Sequence, residues 1–152
     1  MKIIRIILGI FVISLLAIQF IPNKLPENKA TGHDDITGTG LLTPEITTIL
    51  KTSCFDCHSN ETHFPWYSKL APSSWLLASD INRGRDKLNF SEWKSYSKRH
   101  QIGKLEAIKE EITSGDMPLK VYTIIHRKAR LTKKQVSAVA GWTDEVSKKI
   151  LE

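Results

Sequence analysis

The chain has 152 residues, with 22 Lys plus Arg against 16 Asp plus Glu, 41% apolar residues and two cysteines. That length favours one domain, and the composition is globular rather than disordered or fibrous. Two cysteines exclude a disulfide-rich scaffold and cannot alone supply the four ligands of a Cys-only structural zinc site. The net charge of +6 is uneven: Lys2, Arg5 and Lys24, with no acid among them, place +3 in the first 24 residues and leave +3 on the other 128. The longest basic stretch, Arg127 to Lys134, reads as the solvated entrance of a helix, so no nucleic-acid partner is expected.

The N-terminus carries the first element. Lys2 and Arg5 precede Ile6 to Ile21, 16 residues without a charge, closed by Pro22. A positive start and an apolar run are what the secretion machinery reads as a signal peptide. The end of the run, Ala17-Ile-Gln-Phe-Ile-Pro22, is bulky where a cleavage site needs small residues. With Ile3 and Ile4 the run approaches the roughly 17 residues that span a thin bilayer. Residues 1–22 are therefore expected to be an uncleaved membrane anchor, with a cleaved signal as the alternative. Positive charge kept on the cytoplasmic side would leave the rest facing the periplasm or its equivalent, anchored to the inner membrane. Residues 23–40, polar and rich in Gly and Thr, are expected to be a tether, and 41–152 the domain proper.

Thr43 is a good N-cap, with Pro44 at the first helical position and Glu45 beside it. Ile46, Ile49 and Leu50 form one apolar face, and Cys57, seven residues after Leu50, falls on the same side. That helix leads into Cys54-Phe-Asp-Cys57-His58, which is C-x-x-C-H, the attachment sequence for c-type haem, and it uses both cysteines. Two sulfurs one helical turn apart can add to the two haem vinyl groups, and the next residue presents its imidazole to the iron from the same side. A thioredoxin-like reading would need a βαβ context that the sequence lacks. A zinc reading would need two more ligands from histidines at no regular spacing.

Downstream, Trp66, Tyr67 and Trp75 cluster. They are expected either to cover the haem edge as core aromatics or to donate a hydrogen bond to a propionate; Arg83 and Arg85 could pair with propionates too. A second helix is predicted over Ser73 to Gly84, with Trp75, Leu76 and Ile81 as apolar positions, and Ser91 opens a short third one through Trp93 and Tyr96. A fourth spans Ile102 to Ser114, where Ile102, Leu105, Ile108 and Ile112 recur at helical spacing and Gly115 stops it. Next comes Gly115-Asp-Met117-Pro118. Met117 is the one methionine besides Met1 and lies 59 residues after His58, so a His/Met-ligated iron would need this thioether. A core-filling methionine, ligation by His126 and a vacant sixth position are the alternatives. The last helix starts with a capping box, Thr132 with Gln135, and a staple, Leu131 with Val136, and continues through Val139, Trp142 or Thr143, Val146 and Ile150. The chain reads as all-α.

Cys54-Phe-Asp-Cys57-His58-Ser-Asn60, Pro65-Trp-Tyr67, Ala71-Pro-Ser-Ser-Trp75, Asn89-Phe-Ser-Glu-Trp93, Gly115-Asp-Met-Pro118 and Tyr122 to His126 together resemble the bacterial haem-binding domain family of small, usually membrane-anchored, mono-haem c-type proteins. The resemblance covers roughly Leu41 to Leu151. It implies covalent haem and a cytochrome-like helical fold, and it implies no substrate. One departure is Leu119, where a second proline would be expected after Met117-Pro118.

The sequence thus leads to a mono-haem c-type cytochrome, not an enzyme, that passes single electrons to a redox partner it does not name. Cys54 and Cys57 hold one haem c, His58 is the proximal iron ligand and Met117 the distal one. The alternative is a haem enzyme or a gas or redox sensor with an open or displaceable sixth position.

Overall fold

The computed structural model describes residues 1–30 and 32–152. It contains seven α-helices and no strand among the described residues: α1 (Lys2–Ala17), α2 (Pro44–Ser53), α3 (Phe55–His58), α4 (Ser73–Lys87), α5 (Lys98–Ser114), α6 (Lys120–Ile125) and α7 (Lys133–Leu151). The all-α expectation holds. Local chemistry explains where most helices start. Thr43, Ser97 and Thr132 each accept a hydrogen bond from the backbone N–H three residues on, and at Thr132 the Gln135 side chain completes a reciprocal capping box. Gly115, at φ 81°, ends α5 in the left-handed conformation that costs glycine least.

The core lies where α5, α7 and α2 meet. Ile46, Ile49 and Leu50 of α2, Leu105, Ile108 and Ile112 of α5, and Val139, Trp142, Val146 and Ile150 of α7 are all buried. A second layer of aromatics joins this core to the C-x-x-C-H turn: Phe55 stacks on Phe90 with centroids 5.1 Å apart, and Phe90 stacks on Trp93. Trp142 donates its indole N–H to the Leu41 carbonyl at 2.9 Å, tying the middle of α7 to the entry to α2.

Three elements differ from expectation. α4 runs three residues past Gly84, and its inward face is Leu77, Ala78, Ile81 and Gly84, while Leu76 is exposed. α5 begins at Lys98, four residues before the first apolar position of its stripe. α6 adds a helix of six residues, too short for periodicity to mark, and its Val121, Ile124 and Ile125 face outward.

Described residues of the segment expected as a tether contact the domain. Ile36 is fully buried in the core, the Asp34 carbonyl accepts from Lys94 N–H, Lys29 N–H donates to the Asn60 carbonyl, and Asn28 exchanges two hydrogen bonds with Thr62. One isoleucine side chain removed from water gives about 1.5–3 kcal/mol, and the strap's hydrogen bonds add to it.

α1 stands apart from this packing. It continues through a 3-10 turn to Phe20, so that Lys2–Phe20 is a 19-residue helical stretch of mean hydropathy 2.5 with none of it buried. At 1.5 Å per residue it is about 28 Å long, close to the hydrocarbon thickness of a bilayer. By length and composition it can cross a membrane, a measure that signal sequences also meet.

Candidate haem site

Cys54 is the C-cap of α2 and at the same time the entry to α3, with a backbone outside the helical region at φ −126° and ψ −41°. Its carbonyl accepts from the N–H groups of Cys57 and His58 at 3.2 and 3.0 Å. This single turn places the sulfurs of Cys54 and Cys57 three positions apart on one helical face. Both are free thiols. Burial, reinforced by the neighbouring Cys57, pushes the Cys54 thiol up to about 12. Burial and the negative charges of Asp56 and Asp80 push Cys57 up to about 11. A thioredoxin-like dithiol needs the opposite shift, toward a thiolate at neutral pH.

His58 is fixed by backbone alone. Its Nδ1 lies 3.0 Å from the Gly84 carbonyl and 3.1 Å from the Leu88 carbonyl, both at the end of α4. A carbonyl only accepts, so Nδ1 carries the proton and the lone pair is on Nε2, which has no hydrogen bond among the described residues. Burial lowers the His58 pKa, against the opposing pull of the two carbonyls and the Glu111 charge, and the ring is therefore neutral at pH 7. A neutral imidazole with its outer N–H held by a carbonyl is the form that ligates a metal.

This clamp depends on a close helix contact. A Cβ added to Gly84 would sit 2.5 Å from the Cys57 carbonyl oxygen and 3.2 Å from the Cys57 Cβ. Only glycine lets α4 approach α3 closely enough for its carbonyls to reach His58. Behind the turn, Asn60, Asn89 and Ser91 form a buried hydrogen-bonded set, with Asn89 Nδ2 donating to Asn60 Oδ1 at 2.9 Å. Arg85 is committed to the same region: Nε donates to the Ser59 carbonyl at 2.8 Å, Nη1 to the Glu27 carbonyl at 2.9 Å, and Nη2 to Thr62 Oγ1 and Asn28 Oδ1. It holds the strap of residues 27–29 onto the loop after His58. Arg83 is largely exposed and donates to Ser79 Oγ.

On the other side of the turn Asp56, the third residue of the motif, gathers three groups. Tyr122 O–H donates to its Oδ2 at 2.7 Å, and the His63 N–H and Nδ1 meet its Oδ1 at 3.0 and 3.2 Å. Burial and the Asp56 hydrogen bond raise the Tyr122 pKa. The Tyr122 ring stacks on His126 at 4.3 Å, and His126 Nε2 is 2.8 Å from Tyr67 Oη. The Asp56, Tyr122, His126 and Tyr67 set lines up α6 and the 3-10 turn Trp66–Lys69 beside the attachment turn. A cavity of about 550 Å³ opens here, bordered by Asp56, His63, Tyr122 and His126.

Met117 lies on the loop after α5. Its N–H and that of Asp116 both donate to the Glu111 carbonyl at 3.0 Å, and its half-buried side chain packs against the core beside a cavity of about 460 Å³ shared with Ile112, Pro118, Thr123 and Val136. Cys54 packs against the same core.

Among the aromatics predicted at the site, Tyr67 and Trp75 are half-buried and Trp66 points outward, 77% exposed, touching Tyr67 edge-on. His126 is engaged by Tyr67, while His33, His63 and His100 are exposed. Sequence reasoning missed Gly84, Asp56 and the strap. For Gly84 a signal existed, since a glycine inside a helical pattern costs about 1 kcal/mol and asks for a packing reason. Asp56 is an unspecified position of the motif and gave none.

The donor set fits a haem of the covalent kind. Two thiols stand on one face, joined to no other cysteine, and the adjacent imidazole offers a free Nε2; a thioether is available from Met117. The family model described as a haem-binding domain matches residues 13–145. No curated protein and no solved structure matches the chain.

Proposed function

This chain belongs to the haem-binding domain family, and from that premise we propose that it carries one covalently attached c-type haem and transfers single electrons at the outer face of the inner membrane. Cys54 and Cys57 would hold the haem by thioether bonds, His58 Nε2 would ligate the iron, and the Met117 sulfur would take the opposite position. When bound, the haem supplies an iron that gains and loses one electron. The chain's own part is to hold, orient and enclose. α4 carbonyls fix the His58 tautomer and ring plane, the Asp56–Tyr122 bond ties α6 to the attachment turn, and the Met117 loop hangs from the Glu111 carbonyl.

The observation that carries this reading is the double carbonyl hold on His58 Nδ1 directly after two unpaired thiols. Neither catalysis nor a substrate is needed to explain it, so the protein is proposed to be a carrier rather than an enzyme. With α1 as an anchor, Lys2 and Arg5 would stay on the cytoplasmic side and the haem domain on the periplasmic side.

The test is an optical spectrum of the full chain co-expressed with a haem c maturation system, oxidised, reduced, and then exposed to CO. Sharp reduced bands, a weak long-wavelength band in the oxidised state and no response to CO are expected, and Met117→Ala should abolish the weak band and admit CO. A CO response in the unsubstituted protein would favour a sensor or enzyme with a displaceable sixth ligand. The loop-borne position of Met117 is the feature that favours that second reading.

A further inference from the structure

The end of α1 is fastened to the domain at one point. Gln19 Nε2 donates to the Ala71 carbonyl at 2.9 Å, and Ala71 N–H donates to Gln19 Oε1 at 3.0 Å. The side-chain amide thus satisfies both main-chain groups of Ala71 and is itself satisfied. Around this clamp the surface is apolar: Phe20 is 88% exposed, and Ile21, Trp66, Leu70 and Leu76 also face outward, with Lys69 among them. Among the described residues no element covers these side chains. From Trp66 to Ala71 the chain makes one 3-10 turn and two further steps, which bounds their backbone separation at about 13 Å.

We infer that Trp66 and Leu70 dip into the interfacial layer of the same membrane that α1 crosses, so that the haem domain rests on the bilayer in a fixed orientation. The inference rests on the proposed retention of α1 as an anchor. Gln19 is one residue from the end of the apolar stretch, at its non-cytoplasmic end, and its clamp holds Ala71 at the level where the helix leaves the hydrocarbon. An indole and a leucine beside that level belong in the zone where Trp and Tyr collect, and Lys69 can extend its ammonium toward headgroups. A main chain with an unmet donor or acceptor would be costly to place there. At Ala71 both are met by Gln19. Outward exposure of Trp66 has a reason in this arrangement.

The experiment uses the haem-loaded full chain in nanodiscs of zwitterionic lipid with a minority of anionic lipid. Nitroxide labels are placed singly at Trp66→Cys, Leu70→Cys, Phe11→Cys and, as water-exposed references on α5 and α7, Glu106→Cys and Glu145→Cys. Relaxation by oxygen and by a water-soluble nickel chelate then reports depth, read as the difference from the unsubstituted chain. The labels at 66 and 70 are expected to favour oxygen over nickel, between the Phe11 label and the references, and Gln19→Leu should shift both toward the references. Labels at 66 and 70 that match the references while the Phe11 label lies deep would overturn the inference and leave the anchor standing. A Phe11 label that is itself in water would overturn the anchor and the inference together.

Discussion

The two flanks of the attachment turn are built differently. On the α4 side His58 is held by two main-chain carbonyls, a helix contact that admits no Cβ at Gly84, the buried Asn60, Asn89 and Ser91 set, and four hydrogen bonds from Arg85. On the Met117 side the loop hangs from a single carbonyl, and the helix that follows it turns Val121, Ile124 and Ile125 outward. Main-chain carbonyls cannot change rotamer, whereas a thioether on a loop can move. If His58 and Met117 hold the haem iron as proposed, the fold would fix the first and leave the second free to adjust between two oxidation states.

Substitutions sharpen this contrast, and the largest effect is expected at Gly84. Gly84→Val forces α3 and α4 apart; a loss of about 3 kcal/mol or more in thermal or denaturant unfolding is expected, along with a fall in haem-loaded yield. Ile36→Ala tests whether the strap belongs to the fold, with an expected loss of about 2–5 kcal/mol by the same measurement. A free tether would show none. Arg85→Ala removes the link between strap and motif loop and should cost about 2 kcal/mol, as charged hydrogen bonds do. Tyr122→Phe deletes one hydrogen bond to Asp56 and should cost about 1 kcal/mol while leaving the reduced spectrum intact. Met117→Leu should be comparably mild in stability, under about 1.5 kcal/mol because volume is conserved, yet it should alter the oxidised spectrum the most of these five. Were Met117→Leu as destabilising as Gly84→Val, the contrast between the flanks would fail.

How much of this was legible follows from how local each cause is. Thr43 with Pro44, and Thr132 with Gln135, are nearest-neighbour chemistry, and the starts of α2 and α7 fall where those residues put them. The C-x-x-C-H motif is likewise local and marks the site by itself. Ile36 lies alone among polar residues, so its burial depends on a surface that other segments build, and no periodicity announces it. α6 was hidden for a different reason: Val121, Ile124 and Ile125 recur at helical spacing, but six residues are too few for periodicity to mark a helix. Trp66, Tyr67 and Trp75 form one aromatic cluster in the sequence, while the exposure of Trp66 and the bond of Tyr67 to His126 depend on contacts that no local pattern announces. Arg85 donates to carbonyls of the strap and the motif loop, partners that only the folded chain brings within reach.

The account stands most directly on whether the haem is bonded to Cys54 and Cys57. The measurement is a denaturing mass spectrum of the full chain, matured with the haem c assembly machinery, beside the Cys54→Ala and Cys57→Ala variants and the variant that carries both. A mass increased by one haem that survives acid and organic extraction, and that falls away when both cysteines are replaced, is the predicted result. A chain of unmodified mass whose haem passes into the organic phase would contradict it.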